Sequence, residues 1–169
     1  MRELGSAPVP AAGADDHLRG PGDAPLVVEY ADFECPFCAV LEQRLAGRRL
    51  RVLFRHFPVR SSHPRAWAAA CAAEAAGRQE RFWEMHDLLF ADQARLEDPH
   101  LWRRAEELEL DLERFDSDRR GDEVRARVRR DFDSGVRAGV VTTPTLFAVQ
   151  RGRAQRIDPR TLHRLDGER

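Results

Sequence analysis

Two cysteines separated by two residues, Cys35-Pro36-Phe37-Cys38, have the clearest chemical potential in this chain. One sulfur of such a pair attacks a partner's disulfide as a thiolate, and the other resolves the mixed disulfide that forms. The pair follows an apolar run, Leu26-Val27-Val28-Glu29-Tyr30, and precedes a helical pattern beginning near Ala39. A cysteine at a strand-to-helix junction meets unpaired backbone N–H groups and a dipole equivalent to roughly +0.5 elementary charge, both of which favour the thiolate. Cys35 occupies that place and suits the nucleophile. Cys38, one turn later and partly shielded, suits the resolving role. Two such thiols can also be half of a zinc site. Zinc asks for four ligands, usually completed by a second pair at short spacing. Cys71 and the six scattered histidines supply no such pair. Redox chemistry is the expectation, with no metal ligand assigned, and a zinc site is the alternative.

Other residues are candidates to serve these thiols. Thr142-Thr143-Pro144-Thr145 places a proline just ahead of an apolar β-run, where its missing N–H fits an edge-strand start or a cis turn. Glu29 lies inside an apolar strand, six residues before Cys35. If buried it needs a raised pKa and can exchange a proton with Cys38; if it faces solvent it is an ordinary surface acid. Asp32 and Glu34 are expected to be solvated. Phe33 and Phe37 flank the thiols and suggest an exposed apolar rim. Cys71 lies among alanines and reads as a small buried hydrophobe. For His56, His63 and His86, packing or a backbone hydrogen bond is expected. Trp67, Phe82, Trp83 and Trp102 read as core contacts.

The elements that position these groups follow from periodicity and turn residues. Residues 26–31 read as a buried strand after Pro21, Gly22 and Pro25. Pro36 fits the first turn of a helix that Gly47 ends. Residues 50–57 alternate apolar and basic and read as a second strand, giving a β-α-β unit with a right-handed crossover. Helical patterns follow at 64–76, 79–90 and 98–108, the last with Asp98 as N-cap and Pro99 behind it. A turn of helix at 111–115 and a helix at 122–138 complete the block. The latter carries Val124, Val128, Phe132 and Val136 at steps of four. Strand signal returns at 145–149, with a hairpin partner at 154–157 and a short helix from Asp158-Pro159 to Leu165. Residues 1–22, rich in Ala, Pro, Gly and Asp, read as a disordered lead. The remainder, 23–169, reads as one α/β domain interrupted by a helical insertion at about 60–138.

Composition sets the outer bounds. A chain of 169 residues, 42% apolar, with 9 Phe and 3 Trp, supports one packed core. All 28 basic residues are arginine, so no lysine is available as nucleophile or Schiff base. A net charge of −1 gives no overall field for nucleic acid or an anionic membrane. No window of about 20 apolar residues predicts membrane insertion. Residues 1–22 hold no apolar segment of the signal-peptide kind, so the expected location is cytoplasmic.

With the pieces placed, the chain resembles the thioredoxin superfamily, and within it the DsbA-like branch. The likeness rests on Val27-Val28-Glu29-Tyr30-Ala31-Asp32-Phe33-Glu34-Cys35-Pro36-Phe37-Cys38 and Phe54-Arg55-His56-Phe57-Pro58. It continues through Arg81-Phe82-Trp83-Glu84-Met85-His86-Asp87 and Gly139-Val140-Val141-Thr142-Thr143-Pro144-Thr145. The resemblance implies a thioredoxin-like α/β fold, a mixed central sheet flanked by helices, with an inserted helical domain. It implies Cys35 as nucleophile, Cys38 as resolving thiol, a cis Pro144 facing the disulfide, and Glu29 as a buried proton carrier. Thr143, Pro36 and Phe37 then meet substrate, and no organic cofactor is required.

The pattern departs from the family at Thr142, where glycine is usual, and at Phe37, where strong oxidants of this branch carry histidine. Phe37 adds neither a donor nor a positive charge, so a less acidic Cys35 and a less oxidising disulfide are expected. The expected function is thiol-disulfide exchange on protein or peptide thiols and disulfides, biased to reduction or isomerisation, with an unidentified electron donor or acceptor. The alternative is a non-enzymatic redox-sensing or chaperone-like module. Related domains also occur fused to membrane antiporters, so a detached regulatory domain belongs to that alternative.

Overall fold

The structure, a computed structural model, describes residues 7–165. The ends of the expected lead and domain, residues 1–6 and 166–169, lie outside the described residues. The elements run β1 (His17–Arg19), β2 (Leu26–Ala31), α1 (Pro36–Leu45), β3 (Arg51–His56), α2 (Ala66–Gly77), α3 (Phe82–Ala91), α4 (His100–Glu107), α5 (Leu112–Arg120), α6 (Asp122–Arg137), β4 (Thr145–Gln150) and β5 (Arg153–Ile157). A 3-10 helix, Pro159–Arg164, closes the described chain. The five strands form one mixed sheet in the order β1-β3-β2-β4-β5. β2 pairs parallel with β3 and antiparallel with β4, so the strand leading into the cysteines lies at the centre. The mixed central sheet, with helices α2 to α6 inserted between β3 and β4, is the architecture that the resemblance implies.

β2 is buried on both faces, which is why it reads as a continuous apolar run. Val27 packs with Leu41 and Leu45 of α1 on one face, together with Leu146 and Leu162. Val28 and Tyr30 face the other way, into Leu53, Phe57, Val140 and Phe147. Glu29 alternates with Val28 and Tyr30 and therefore shares the Val27 face, toward α1. Tyr30 donates or accepts a 2.9 Å hydrogen bond with Ser134, which seats α6 on its own face. Gly135 of α6 is pressed so close there that a Cβ would stand 2.7 Å from Phe57 Cδ2 and 2.9 Å from Tyr30 Cδ1.

The largest apolar cluster joins the helical block to the sheet. Ala69, Ala70, Ala72, Ala73, Ala75 and Ala76 of α2 are all buried. Small side chains on every side let α2 pack closely against several neighbours. Phe33 stacks on Phe54 at 5.4 Å and meets Phe90 at 4.8 Å, linking β3 to α3 just under the cysteine loop.

The expected disordered lead is corrected over residues 7–22. Residues 17–19 form an edge strand, with His17 opposite Phe54 and Arg19 opposite Val52. Upstream, the buried Arg55 guanidinium donates to the carbonyls of Pro10 at 2.9 Å and Ala11 at 3.1 Å, and to Asp16 Oδ2 at 3.0 Å. The lead is held by a cation some 40 residues away, which local composition does not report. At Gly20 (φ +111°) the chain turns so tightly that a Cβ would lie 2.1 Å from the Leu50 carbonyl oxygen.

Two helix expectations also change. Asp98 does not cap α4; the helix begins at His100, and Asp98 instead accepts from Arg119 at 2.7 Å. On α6, Val124 and Val128 are buried but Val136 is 53% exposed. Steps of four advance 400° against 360° per turn, so the stripe drifts off the buried face within three steps. Asp131, Ser134 and Gly135 take the inner positions instead.

Candidate active site

The cysteine pair sits where central strand β2 hands over to α1. Cys35 is the N-cap, Pro36 opens the first turn, and Cys38 lies inside it. A proline costs nothing here because its N–H would be unpaired anyway. Both thiols are reduced and buried, Cys35 with 3% and Cys38 with 0% of its surface exposed. The Cys35 thiol donates to the Thr143 carbonyl at 3.4 Å, across from the loop that enters β4. The Thr143–Pro144 peptide bond in that loop is cis, as is Asp98–Pro99. Sequence-distant Thr143 and Pro144 thus stand beside the motif.

The two sulfurs are driven in opposite directions. The neighbouring Cys38 thiol, then Thr143 and the backbone N–H groups of Cys38 and Phe37, lower the Cys35 pKa to about 6 against its burial. Burial first, then the Cys35 sulfur and Glu29, push Cys38 well above the ordinary thiol value. Near neutral pH the pair therefore presents one thiolate and one thiol. Cys71 is also buried, and burial raises it to about 11, so it offers no nucleophile.

Glu29 is fully buried below Cys38, with neither carboxyl oxygen hydrogen-bonded among the described residues. Burial, then the Glu42 carboxylate, raise its pKa well above the usual range. Burial also pushes Glu42 upward, but His86, Glu29 and Arg19 together hold it below its ordinary value. The proton of this pair therefore rests on Glu29, and Glu42 is ionised. Glu42 lies four residues after Cys38 on the same face of α1, the signal by which a helical reading can find it.

The loop before the motif is clamped from the helical block. Gln93 Nε2 donates to the carbonyls of Phe33 at 2.8 Å and Cys35 at 2.9 Å. Asp32 is not solvated as expected: it is 1% exposed and accepts from the Glu34 and Val59 N–H groups, each at 2.8 Å. His63 Nδ1 stands 2.8 Å from the same carboxylate. Glu34 likewise accepts from Arg65, at 2.7 Å from its backbone N–H and 2.8 Å from its Nε. Each acid had an unpaired backbone group or cation waiting on a distant segment.

Phe33 and Phe37 separate. Phe33 is buried in the aromatic cluster, whereas Phe37 is 72% exposed. Val40 of α1, also exposed, stands with Phe37 along one groove, and Val141, two residues before Thr143, is 82% exposed. A groove of about 270 Å³ runs beside it, lined by Phe37, Val40, Leu41, Thr143 and Pro144, with Arg44 and Arg160 at its edge.

His56 also differs from expectation. Its Nε2 and that of His17 each lie 2.8 Å from Glu74 Oε1, binding β1 and β3 to α2. The Arg127 guanidinium approaches the same oxygen at 3.9 Å. A metal ion there would have to displace both hydrogen bonds beside that fixed positive charge, so the geometry is that of an ion-pair cluster.

A protein-family profile described as thioredoxin matches residues 13–165. The chain is 48% identical over 148 residues to Na(+)/H(+) antiporter NhaA 3 of Salinispora tropica, covering 82% of this chain and 22% of that protein. It thus spans less than a quarter of the length of the curated relatives it matches. Among solved structures, it is similar to Pseudomonas aeruginosa DsbA2, with 27% identity, a TM-score of 0.72, and coverage of 92% of this chain and 94% of that one. A thioredoxin-like oxidoreductase from Silicibacter pomeroyi shares the fold, with 22% identity, a TM-score of 0.75, and coverage of 90% and 91%.

Proposed function

Because the chain belongs to the thioredoxin family and has the DsbA-like architecture, we propose that it is a thiol-disulfide oxidoreductase acting on protein and peptide disulfides. The observation that carries this reading is the opposed pair: Cys35 at about 6, Cys38 held protonated, and Thr143-Pro144 alongside. The Cys35 thiolate attacks a substrate disulfide; a Cys35–substrate bond forms and one substrate thiolate leaves. Glu29 then passes the proton it carries to ionised Glu42 and takes the Cys38 proton in its place, as Cys38 attacks Cys35. The Cys35–Cys38 bond forms as the second substrate thiolate departs with its electron pair. The reverse sequence oxidises a substrate dithiol. Neither direction uses an organic cofactor. The exposed Phe37 and the loop backbone at Thr143, just before β4, receive the substrate chain, with main-chain pairing at that loop tolerant of sequence.

A Cys35 pKa near 6 lies toward the upper part of the range of about 3.5–7.5 known for activated thiols. A less acidic nucleophile stabilises the reduced form less, which favours reduction or isomerisation over strong oxidation. A reducing compartment such as the cytosol suits that direction.

The antiporter relatives favour a second reading, in which this domain is a redox-sensing module of a membrane transport protein. No helix among the described residues is long and apolar enough to cross a membrane, so such a domain acts beside the membrane part. Mixed-disulfide trapping separates the two. Cys38→Ala leaves the Cys35 adduct unresolved, and capture of many different protein partners is expected. Capture of a single transporter partner favours the sensor, and capture of none contradicts exchange.

A further inference from the structure

The resolving step releases a proton into a closed interior, and that proton needs a way out. Glu29 is 0% exposed, so a proton it takes from Cys38 has no direct contact with solvent. Four buried polar atoms nearby lack a hydrogen-bond partner among the described residues: both oxygens of Glu29, Glu42 Oε1 and His86 Nε2. They follow one another from β2 through α1 to α3. Glu42 Oε1 lies 3.5 Å from His86 Nε2, and His86 Nδ1 lies 2.8 Å from Asp87 Oδ1. The His86 side chain is 0% exposed, whereas that of Asp87 is 59% exposed.

We propose that His86 is the proton conduit of the redox site, carrying protons between the Glu29–Glu42 carboxyl pair and solvent at Asp87. The proposal rests on the oxidoreductase reading and extends it outward from Glu29.

The surroundings of His86 suit this use. Its charged and titratable neighbours are Glu42 from α1 and Asp87 on its own helix; Arg19 of β1 bridges both acids, at 3.4 Å from Glu42 and 2.8 Å from Asp87. The other faces of the ring meet Phe33, Phe54, Phe82, Trp83 and Phe90, which hold its plane and bring no competing proton acceptor. In the tautomer that donates Nδ1–H to Asp87, Nε2 can accept from Glu42 once that carboxyl takes up the relayed proton. A cavity of about 630 Å³, lined in part by Arg19, Glu42 and Asp87, opens at the same end.

When Cys38 attacks the Cys35 mixed disulfide, the sulfur–sulfur bond to the substrate breaks and the substrate thiolate leaves. Glu29 hands the proton it carries to ionised Glu42 as it takes up the Cys38 proton, and Glu42 passes its new proton to His86 Nε2, which leaves Glu29 protonated and Glu42 ionised as before. His86 releases its Nδ1 proton to Asp87 and water. The ring is left as the other neutral tautomer. Reduction of the Cys35–Cys38 disulfide brings a proton back at Nδ1 and returns the Nε2 proton inward, so one full cycle restores the starting tautomer.

The test isolates the resolving step. Oxidised glutathione forms a mixed disulfide at Cys35, and quenched-flow chromatography follows glutathione release as Cys38 closes. His86→Gln keeps a hydrogen-bonding side chain but cannot relay protons. It is expected to slow release about tenfold at neutral pH. Added imidazole, entering the adjoining cavity, is expected to restore the rate, while the pH profile of Cys35 alkylation stays as in wild type. Release at the wild-type rate overturns the relay, because protons then leave Glu42 directly. Slowing that imidazole does not restore also overturns it, as loss of packing. Should His86→Gln fail to fold, Asp87→Asn at the exposed end is expected to slow release about threefold. An unchanged rate there counts against the proposal. Wild-type protein that never expels glutathione refutes the oxidoreductase reading instead. Slow release in Glu29→Gln with normal release in His86→Gln refutes the relay alone.

Discussion

Cys35→Ser is expected to abolish disulfide reduction, lowering the rate of insulin reduction by at least about 10³-fold to the uncatalysed background. The size of the loss follows from the lack of any substitute. Cys38 is fully buried and held protonated, and Cys71 is buried and raised to about 11. Serine at a helix N-terminus stays a hydroxyl near neutral pH, so the site keeps its shape and loses its nucleophile. The same thiol fixes the pH dependence. Alkylation of wild-type Cys35 by iodoacetamide is expected to be half-maximal near pH 6, falling about tenfold per pH unit below that as the thiolate is protonated. Equal insulin reduction by wild type and Cys35→Ser contradicts the assignment.

Glu29→Gln is expected to make the protein more stable and its resolving step slower. Glu29 is buried and its pKa is raised well above 4.5. Below about pH 4.5 the unfolded chain is also protonated there, and the folded state bears no penalty. As pH rises, the unfolded carboxyl ionises while the folded one retains its proton, so wild-type stability declines until the folded carboxyl itself titrates. Glutamine has no such linkage. The variant is expected to gain about 1–3 kcal/mol at pH 7, with the gain shrinking toward pH 4. Chemical denaturation at both pH values measures it. Release of substrate from Cys35 is expected to slow by about 10²-fold, because glutamine cannot pass a proton on to Glu42 while taking one from Cys38. A variant less stable than wild type at pH 7, or one that resolves as fast, contradicts the role given to Glu29. Opposed effects on stability and turnover are the signature of a buried group kept for chemistry.

Much of this site was legible because its parts are local. Cys35, Pro36 and Cys38 announce a strand-to-helix junction by spacing alone, and β2 and β3 follow from run length and turn residues. The thioredoxin-like architecture with helices between its two β segments was readable for the same reason. What stayed hidden depends on pairs far apart in sequence. Arg55 holds the lead at Pro10 and Asp16, so a stretch composed like disorder supplies an edge strand. Asp32 looks like a surface acid until Val59 and His63 arrive beside it. Asp98 has the sequence of a helix cap, but Arg119 claims its carboxylate. Phe33 and Phe37 are equivalent in composition, and only the packing of Phe33 against Phe54 and Phe90 tells them apart. His86 followed an aromatic stripe and read as packing, since nothing local joins it to Glu42.

A reversible two-electron couple between Cys35 and Cys38 underlies every step proposed for this site. The direct measurement is equilibration of the purified protein across a series of glutathione redox buffers, with the dithiol and disulfide fractions counted by thiol trapping. A single two-electron transition is predicted, with a midpoint between about −270 and −180 mV, the span from thioredoxin to protein disulfide isomerase. A midpoint near about −120 mV contradicts the reductive direction. A pair that stays dithiol across the whole series contradicts the account itself.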